Sequence, residues 1–367
     1  MVHAQLVERA KSLIDDLAKT PRFAGSAEET TARARCRREL EQAGFTCEEL
    51  PFAYSQWLAR WAVPLVSFVI GITVYAMGRL AQSGNPLAPL VALWVMWWPL
   101  WASAVSPQRN WVLTFPWCRA TSVNLEARRG DPVVWLVAHL DSKSQTVPML
   151  LRIVGSMSLY IGAMLVTLGG LAFLVWGAVA VPALLIARFL AILGAITAGL
   201  CVVRNKSPGA VDNASGVAAV LLAAQSPDAP ASLGVLITSG EELGLAGAVA
   251  WAQTAPDDRV ILNCDTVDEA GTYRCMYGPQ PVRVAVAAET AAKRLGLPLK
   301  LGRMIPGIMA DSMVFANRWR WSAVTLSRGT LATLARIHTR RDNSSTLTGE
   351  GAAHASALLS AMAKELS

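Results

Sequence analysis

Apolar positions along this chain follow two kinds of pattern. Residues 57–106 and 149–203 are almost continuously apolar. Between Arg60 and Arg79 lie 18 uncharged residues, between Arg79 and Arg109 another 29, and residues 153–187 are uncharged again before Arg188. A hydrocarbon core about 30 Å thick is crossed by about 20 apolar residues in a helix. Each stretch therefore predicts a helical hairpin, turning near Ser83 to Pro86 and near Trp176 to Pro182. Buried core helices are the alternative, but four such segments with Trp clusters fit a membrane better. Arg188 then falls inside the fourth span, where it must snorkel or face the bundle interior.

The rest of the chain alternates short apolar runs with amphipathic ones. Ser26 and Glu29 have the spacing of a capping box before a helical run, Ala27 to Ala43, that stops at Gly44. Phe45 to Phe52 and Thr121 to Ala127 read as neighbouring strands. Val133 to Ala138, Gly234 to Thr238, Val260 to Asn263 and Ala323 to Leu326 read as strands buried on both faces. Helical patterns at about 214–225, 243–253, 282–295 and 350–365 separate or follow them. The expected fold is α/β, a mostly parallel mixed sheet with helices on both faces. The soluble part is then in three pieces, 1–56, 107–148 and 204–367, interrupted by hairpins at 57–106 and 149–203.

Composition agrees: 53% of the 367 residues are hydrophobic and 16% charged, too apolar for an ordinary soluble chain. The net charge of +7 comes without a nucleic-acid-binding motif, so no nucleic-acid partner is expected. The basic residues Arg60, Arg109, Arg119, Lys143, Arg152, Arg204 and Lys206 flank the apolar stretches on the soluble side, and Arg79 stands nearly alone on the other. The apolar spans predict an integral membrane protein with the lipid bilayer as partner, expected in a bacterial inner membrane, and the positive-inside rule turns its soluble part toward the cytoplasm. Six scattered cysteines without a C-x-x-C pair read as free thiols of a reducing compartment. Met1 to Thr20 is amphipathic and lacks the apolar core of an export signal.

The candidate chemistry lies where an α/β sheet binds ligands, just beyond the carboxyl ends of the apolar strands. His139 and Asp141 follow the first, Glu241 and Glu242 the second, and Asp265 the third; Asp212 opens a helix and His338 lies past the last strand. Singly, each is ordinary: a lone His is usually structural, an Asp before a helix caps it, and a Glu pair is commonly solvated. Coincidence changes this, because two of the chain's four histidines fall at strand ends beside acidic residues. Imidazoles with carboxylates suit zinc, and a carboxylate shared by two ions is how two-metal hydrolases are assembled.

Ala-His-Leu-Asp-Ser (138–142), Val-Asp-Asn-Ala-Ser-Gly (211–216), Ser-Gly-Glu-Glu-Leu-Gly-Leu-Ala-Gly (239–247), Asn-Cys-Asp (263–265) and Ile-His-Thr-Arg-Arg-Asp (337–342) resemble, in order, the motifs of the M28 zinc peptidases. Pro21-Arg-Phe-Ala-Gly-Ser26 is similar to that family's opening segment. The resemblance implies a zinc-aminopeptidase-like fold and two zinc ions, His139 and Asp265 on one, Glu242 and His338 on the other, and Asp212 between them. It implies that Asp141 orients His139 from behind and that Glu241 is the general base, taking a proton from the attacking water. Peptide-bond hydrolysis, releasing an N-terminal residue, is the expected activity and a peptide the expected substrate. A glutaminyl cyclase-like transferase and a membrane scaffold with an inactive peptidase domain are the rivals. Two departures stand out. About 70 residues, with the second hairpin, separate the His-x-Asp and Asp-Asn motifs, which would put the site close to the bilayer surface. Where relatives carry Ser-Asp-His this chain has Ala310-Asp311-Ser312, and Arg336, Arg340 and Arg341 cluster around His338.

Overall fold

The computed structural model describes residues 2–105, 110–177, 181–255, 259–278, 282–305, 308–316 and 322–367. The chain forms two compact units, one made of Met1–Gln56, Asn110–Ser144 and Asn205–Ser367, the other of Trp57–Arg109 and Gln145–Arg204.

The first unit is built on an eight-stranded mixed sheet. Its strands are β1 (Thr46–Ser55), β2 (Arg119–Arg129), β3 (Val134–His139), β4 (Leu233–Thr238), β5 (Val260–Val267), β6 (Tyr273–Tyr277), β7 (Leu299–Arg303) and β8 (Ser322–Arg328), in the order β1-β2-β4-β3-β5-β8-β6-β7. The four central strands, β4, β3, β5 and β8, run parallel. Antiparallel pairs flank them, β1–β2 and β2–β4 on one side and β8–β6 on the other. Every residue of β3 and β4 is buried, so both faces are covered. The helices Ser215–Ala224 and Glu350–Leu366 pack together against β3 and β5, while Ala246–Thr254 packs on β1 and β2. Trp135 of β3 meets Trp251 edge-on at 4.9 Å, and Trp251 meets Phe315 at 5.5 Å.

Three expectations shift. The helix expected from 243 begins at Ala246, because Gly244 (φ 102) and Leu245 (φ 60) turn through the left-handed region. Ser26 does cap the helix Ala27–Gln42, accepting the N–H of Glu29 at 3.2 Å, but Glu29 does not close the box. Its carboxylate accepts the N–H of Gly25 at 2.7 Å and hydroxyls of Ser122 and Ser239 instead. The strands β6 and β7 were not expected; β7, Leu299-Lys-Leu-Gly-Arg303, is a largely exposed edge with little apolar signal. Met1 to Thr20 contains the helix Val2–Leu17.

Among the described residues the second unit holds four α-helices, Val63–Gln82, Leu87–Val105, Met149–Trp176 and Val181–Gly199. The segment 58–82 and the last two are long and apolar enough to cross a membrane; in the second, Pro99 lies inside the helix. The first turn is at Ser83–Pro86, where Asn85 Oδ1 accepts the N–H of Leu87. The second follows Gly177 (φ 64), and residues 178–180 of it lie outside the described residues, as does Arg109. The interior is made by small residues: a Cβ on Gly71 would lie 2.5 Å from the Ala195 Cβ, and one on Gly194 2.6 Å from Gly155 O. Large apolar side chains such as Ile72, Leu168 and Phe189 point outward and are exposed. Small residues inside and apolar ones outside is the arrangement of helices packed in lipid. Arg188 lies against the Val63–Gln82 helix, its Nη2 donating to Tyr75 Oη at 3.1 Å and its guanidinium over the Tyr75 ring.

Candidate metal centre

The parallel strands bring the seven sequence candidates to one end of the sheet. His139 ends β3, Glu241 and Glu242 form the turn after β4, and Asp265 lies in the last three residues of β5 rather than beyond it. Asp212 sits in the kinked segment Ala210–Ala214, whose Asp212–Asn213 peptide is cis. His338 follows the helix Leu331–Arg336 with a left-handed backbone, φ 60.

His139 Nε2 lies 3.1 Å from Asp212 Oδ1 and 3.5 Å from Asp265 Oδ1. His338 Nε2 lies 3.0 Å from Asp212 Oδ2 and 3.2 Å from Glu242 Oε2. Two triads result, His139–Asp212–Asp265 and Asp212–Glu242–His338, and they share the Asp212 carboxylate, one oxygen facing each imidazole. His139 Nε2 and Glu242 Oε1 are buried without a hydrogen-bond partner among the described residues. In each triad the ligand atoms lie within 4.8 Å of one another, a spacing in which a metal ion fits.

The supporting contacts explain how the cluster is held. Asp141 does stand behind His139, but it is its main-chain carbonyl that faces Nδ1, at 3.0 Å, with the nearer carboxylate oxygen at 3.7 Å. That carboxylate accepts the N–H groups of Glu241 and Glu242 at 3.1 and 3.2 Å, fixing the turn that carries both. Asp342 does the same for the Asp212 segment, accepting the N–H groups of Val211 and Asp212 at 2.7 and 3.2 Å. Asn213 ties that segment to β5, donating to Cys264 O and accepting from Thr266 N.

Four groups escaped sequence reasoning. Lys143 Nζ is 2.6 Å from Glu242 Oε2. Arg22, wholly buried, donates to the carbonyls of Leu17, Leu140, Pro208 and Gly209, so one guanidinium spans the His139 and Asp212 loops. Glu29, hydrogen-bonded to Ser122 and Ser239, buttresses the approach to Glu241. Asp311 accepts from Thr238 Oγ1 at 2.5 Å, while Ser312 bonds Thr325 at 2.6 Å and belongs to the core. A Pro-Arg-x-x-Gly segment was visible in the sequence; the partners of its Arg were not. Around His338, Arg336 pairs with Asp268 at 2.8 Å, while Arg340 and Arg341 are exposed.

Burial sets the electrostatics. It raises the Glu241 carboxyl well above its ordinary range; His139 opposes this, and Asp265, Glu242 and Asp311 add to it. Burial and the neighbouring Asp141 push Glu29 up to about 7, and burial does the same to Asp311 and Asp342. For Asp212 burial acts upward too, but the two imidazoles win and hold it below the carboxylate range. His139 would be lowered by burial, yet Glu241 and the adjoining carboxylates keep it well above its ordinary value. So much negative charge out of water calls for compensating cations.

Residues 193–363 match the family model described as Peptidase family M28. Over this segment the chain is similar to the M28 peptidases. It includes Asp212, Glu241, Glu242, Asp265 and His338 but begins after His139. The fold is that of the zinc aminopeptidases: the structure of BSAP, a zinc aminopeptidase from Bacillus subtilis, superposes with a TM-score of 0.56 at 14% identity, over 98% of this chain and 95% of that one. The aminopeptidase from Aneurinibacillus sp. strain AM-1 gives 0.56 at 14% over 97% and 92%. The glutaminyl cyclase of Porphyromonas gingivalis gives 0.54 at 12% over 97% of each. No curated protein matches the chain by sequence.

Proposed function

We propose that this chain is a membrane-anchored, zinc-dependent aminopeptidase with two ions in its centre. The observation that carries the reading is the division of Asp212 between two imidazoles, Oδ1 toward His139 and Oδ2 toward His338. His139 and Asp265 would hold one ion, Glu242 and His338 the other, and Asp212 both. When bound, zinc supplies Lewis acidity toward the scissile carbonyl and lowers the pKa of water. Glu241 then accepts the proton of the attacking water and delivers it to the leaving amine. A carboxyl whose surroundings raise its pKa is suited to both halves of that transfer near neutral pH. Asp141 keeps Glu241 and Glu242 in register, and Arg22 keeps the His139 and Asp212 loops at a fixed spacing.

The membrane role is supported by the second unit's small interior, its apolar exterior and, among the described residues, its three helices long and apolar enough to cross a bilayer; on this reading the chain makes four spans and its first unit faces the cytoplasm. A glutaminyl cyclase shares the fold, but a carboxylate divided between two imidazoles favours the two-ion hydrolase. The deciding experiment uses the full chain in detergent on a panel of aminoacyl amides, with zinc counted on the same preparation. Hydrolysis lost to a chelator and restored by zinc, with the ions bound in the centre numbering two, is the expected result. A zinc-loaded protein that cleaves none of the amides, or one that cyclises N-terminal glutamine, would overturn it. Retention of the full chain in membranes after carbonate washing tests the anchor.

A further inference from the structure

The chain's other two histidines also come together, away from the centre. His3 stands in the first turn of Val2–Leu17 and His354 near the start of Glu350–Leu366; their rings stack with centroids 5.0 Å apart and planes 21° from parallel. Glu350 lies one turn before His354 on the same helix, and the ligand atoms of the three residues all fall within 4.8 Å of one another.

We propose that His3, Glu350 and His354 form a peripheral site for a borderline divalent metal ion, zinc foremost, which pins the first helix of the soluble unit to its last. Two imidazoles and a carboxylate are a common zinc donor set, leaving a fourth position for water. His3 and Glu350 are exposed and His354 is half-buried, so an ion reaches them from solvent.

The backbone at the start of Glu350–Leu366 is already held, which separates the cluster from a chance meeting of surface side chains. The carboxylate of Glu269 accepts the N–H groups of Thr348, Gly349 and Gly351, each at 2.8 Å, and so holds the first turn of Glu350–Leu366. A Cβ on Gly349 would lie 2.5 Å from Val7 O and 2.7 Å from Lys11 N. The two helices therefore meet backbone to backbone one and two turns beyond His3, and Gly349 (φ 93) is the residue that allows it. Binding then orders side chains on two helices that already pack together, which favours a tight site. The first helix also packs on Ala210–Ala214, the segment that carries Asp212, so an ion at its start steadies the element behind the centre.

The test is made by difference, and so does not depend on how many ions the centre holds. Full-length wild type, His354→Ala and Glu350→Gln, each in detergent, are equilibrated with buffered zinc, and the bound zinc is counted by metal analysis. Wild type should bind one equivalent more than either variant. Zinc at about 100 times its Kd should raise the wild-type melting temperature about 5 °C more than that of His354→Ala. The same difference should appear in an Asp212→Asn background. Equal zinc in wild type and both variants, or an extra equivalent bound only at millimolar zinc, an adventitious ion only, would overturn the proposal.

Discussion

Asp141 accepts the main-chain N–H of Glu241 at 3.1 Å, so the proposed base is held through its backbone by a residue from the neighbouring strand end. The other oxygen takes the N–H of Glu242 at 3.2 Å. Asp141→Asn replaces one acceptor oxygen with an NH2 group that faces a donor. Peptidase activity should fall 10- to 100-fold, the usual effect of disturbing a partner behind a metal centre. Unchanged turnover and zinc content would show that the turn holds itself.

The adjacent carboxylates separate by what each loses. Glu241→Gln should keep its zinc and lose about 10²- to 10⁴-fold in rate, the range for a general base. Glu242→Gln should lower occupancy of one metal position, because an amide is a poorer zinc ligand than a carboxylate. Metal analysis and turnover on the same samples read both, and equal metal loss in the two variants would mean the roles are misassigned.

Lys143 competes with a cation for Glu242. Its ammonium is 2.6 Å from Glu242 Oε2, the oxygen that also lies 3.2 Å from His338 Nε2. Replacing it with the similarly long but neutral Met removes both a competitor and a like charge. Lys143→Met should bind the weaker zinc equivalent about tenfold more tightly in a chelator-competition titration. Weaker binding would make Lys143 the group that aims Glu242.

Glu29 gives the metal-free protein a pH-dependent stability. Its folded pKa of about 7 stands above the ordinary 4.5, so the folded state holds its proton more tightly than the unfolded one. Stability from this group is fully present below pH 4.5 and is lost as pH rises through 7. The shift amounts to about 3 kcal/mol. Glu29→Gln should flatten the curve of unfolding free energy against pH across that window and be the more stable protein at pH 8. A variant curve parallel to wild type would remove Glu29 as the source.

What the sequence determined is what local pattern can encode. Continuous apolar runs gave the central strands, charge-free lengths gave the hairpins, and a strand's end is where the next polar residue emerges, so the place of His139, Glu241 and Glu242 at strand ends was legible, and their coincidence made them candidates. Tertiary structure decided the partners. Glu29 looked like half of a capping box but bonds Ser239, 210 residues away, and Arg22 reaches Leu140 and Gly209 across 118 and 187 residues. Asp141 turned its carbonyl, not its carboxylate, toward His139, and Lys143 found Glu242. A long polar side chain takes whichever donor or acceptor the packed loops bring within about 3 Å, and loop proximity is a property of strand order. The order β4-β3-β5-β8 brings those loops to one sheet end, and nothing in the periodicity of any single strand specifies it.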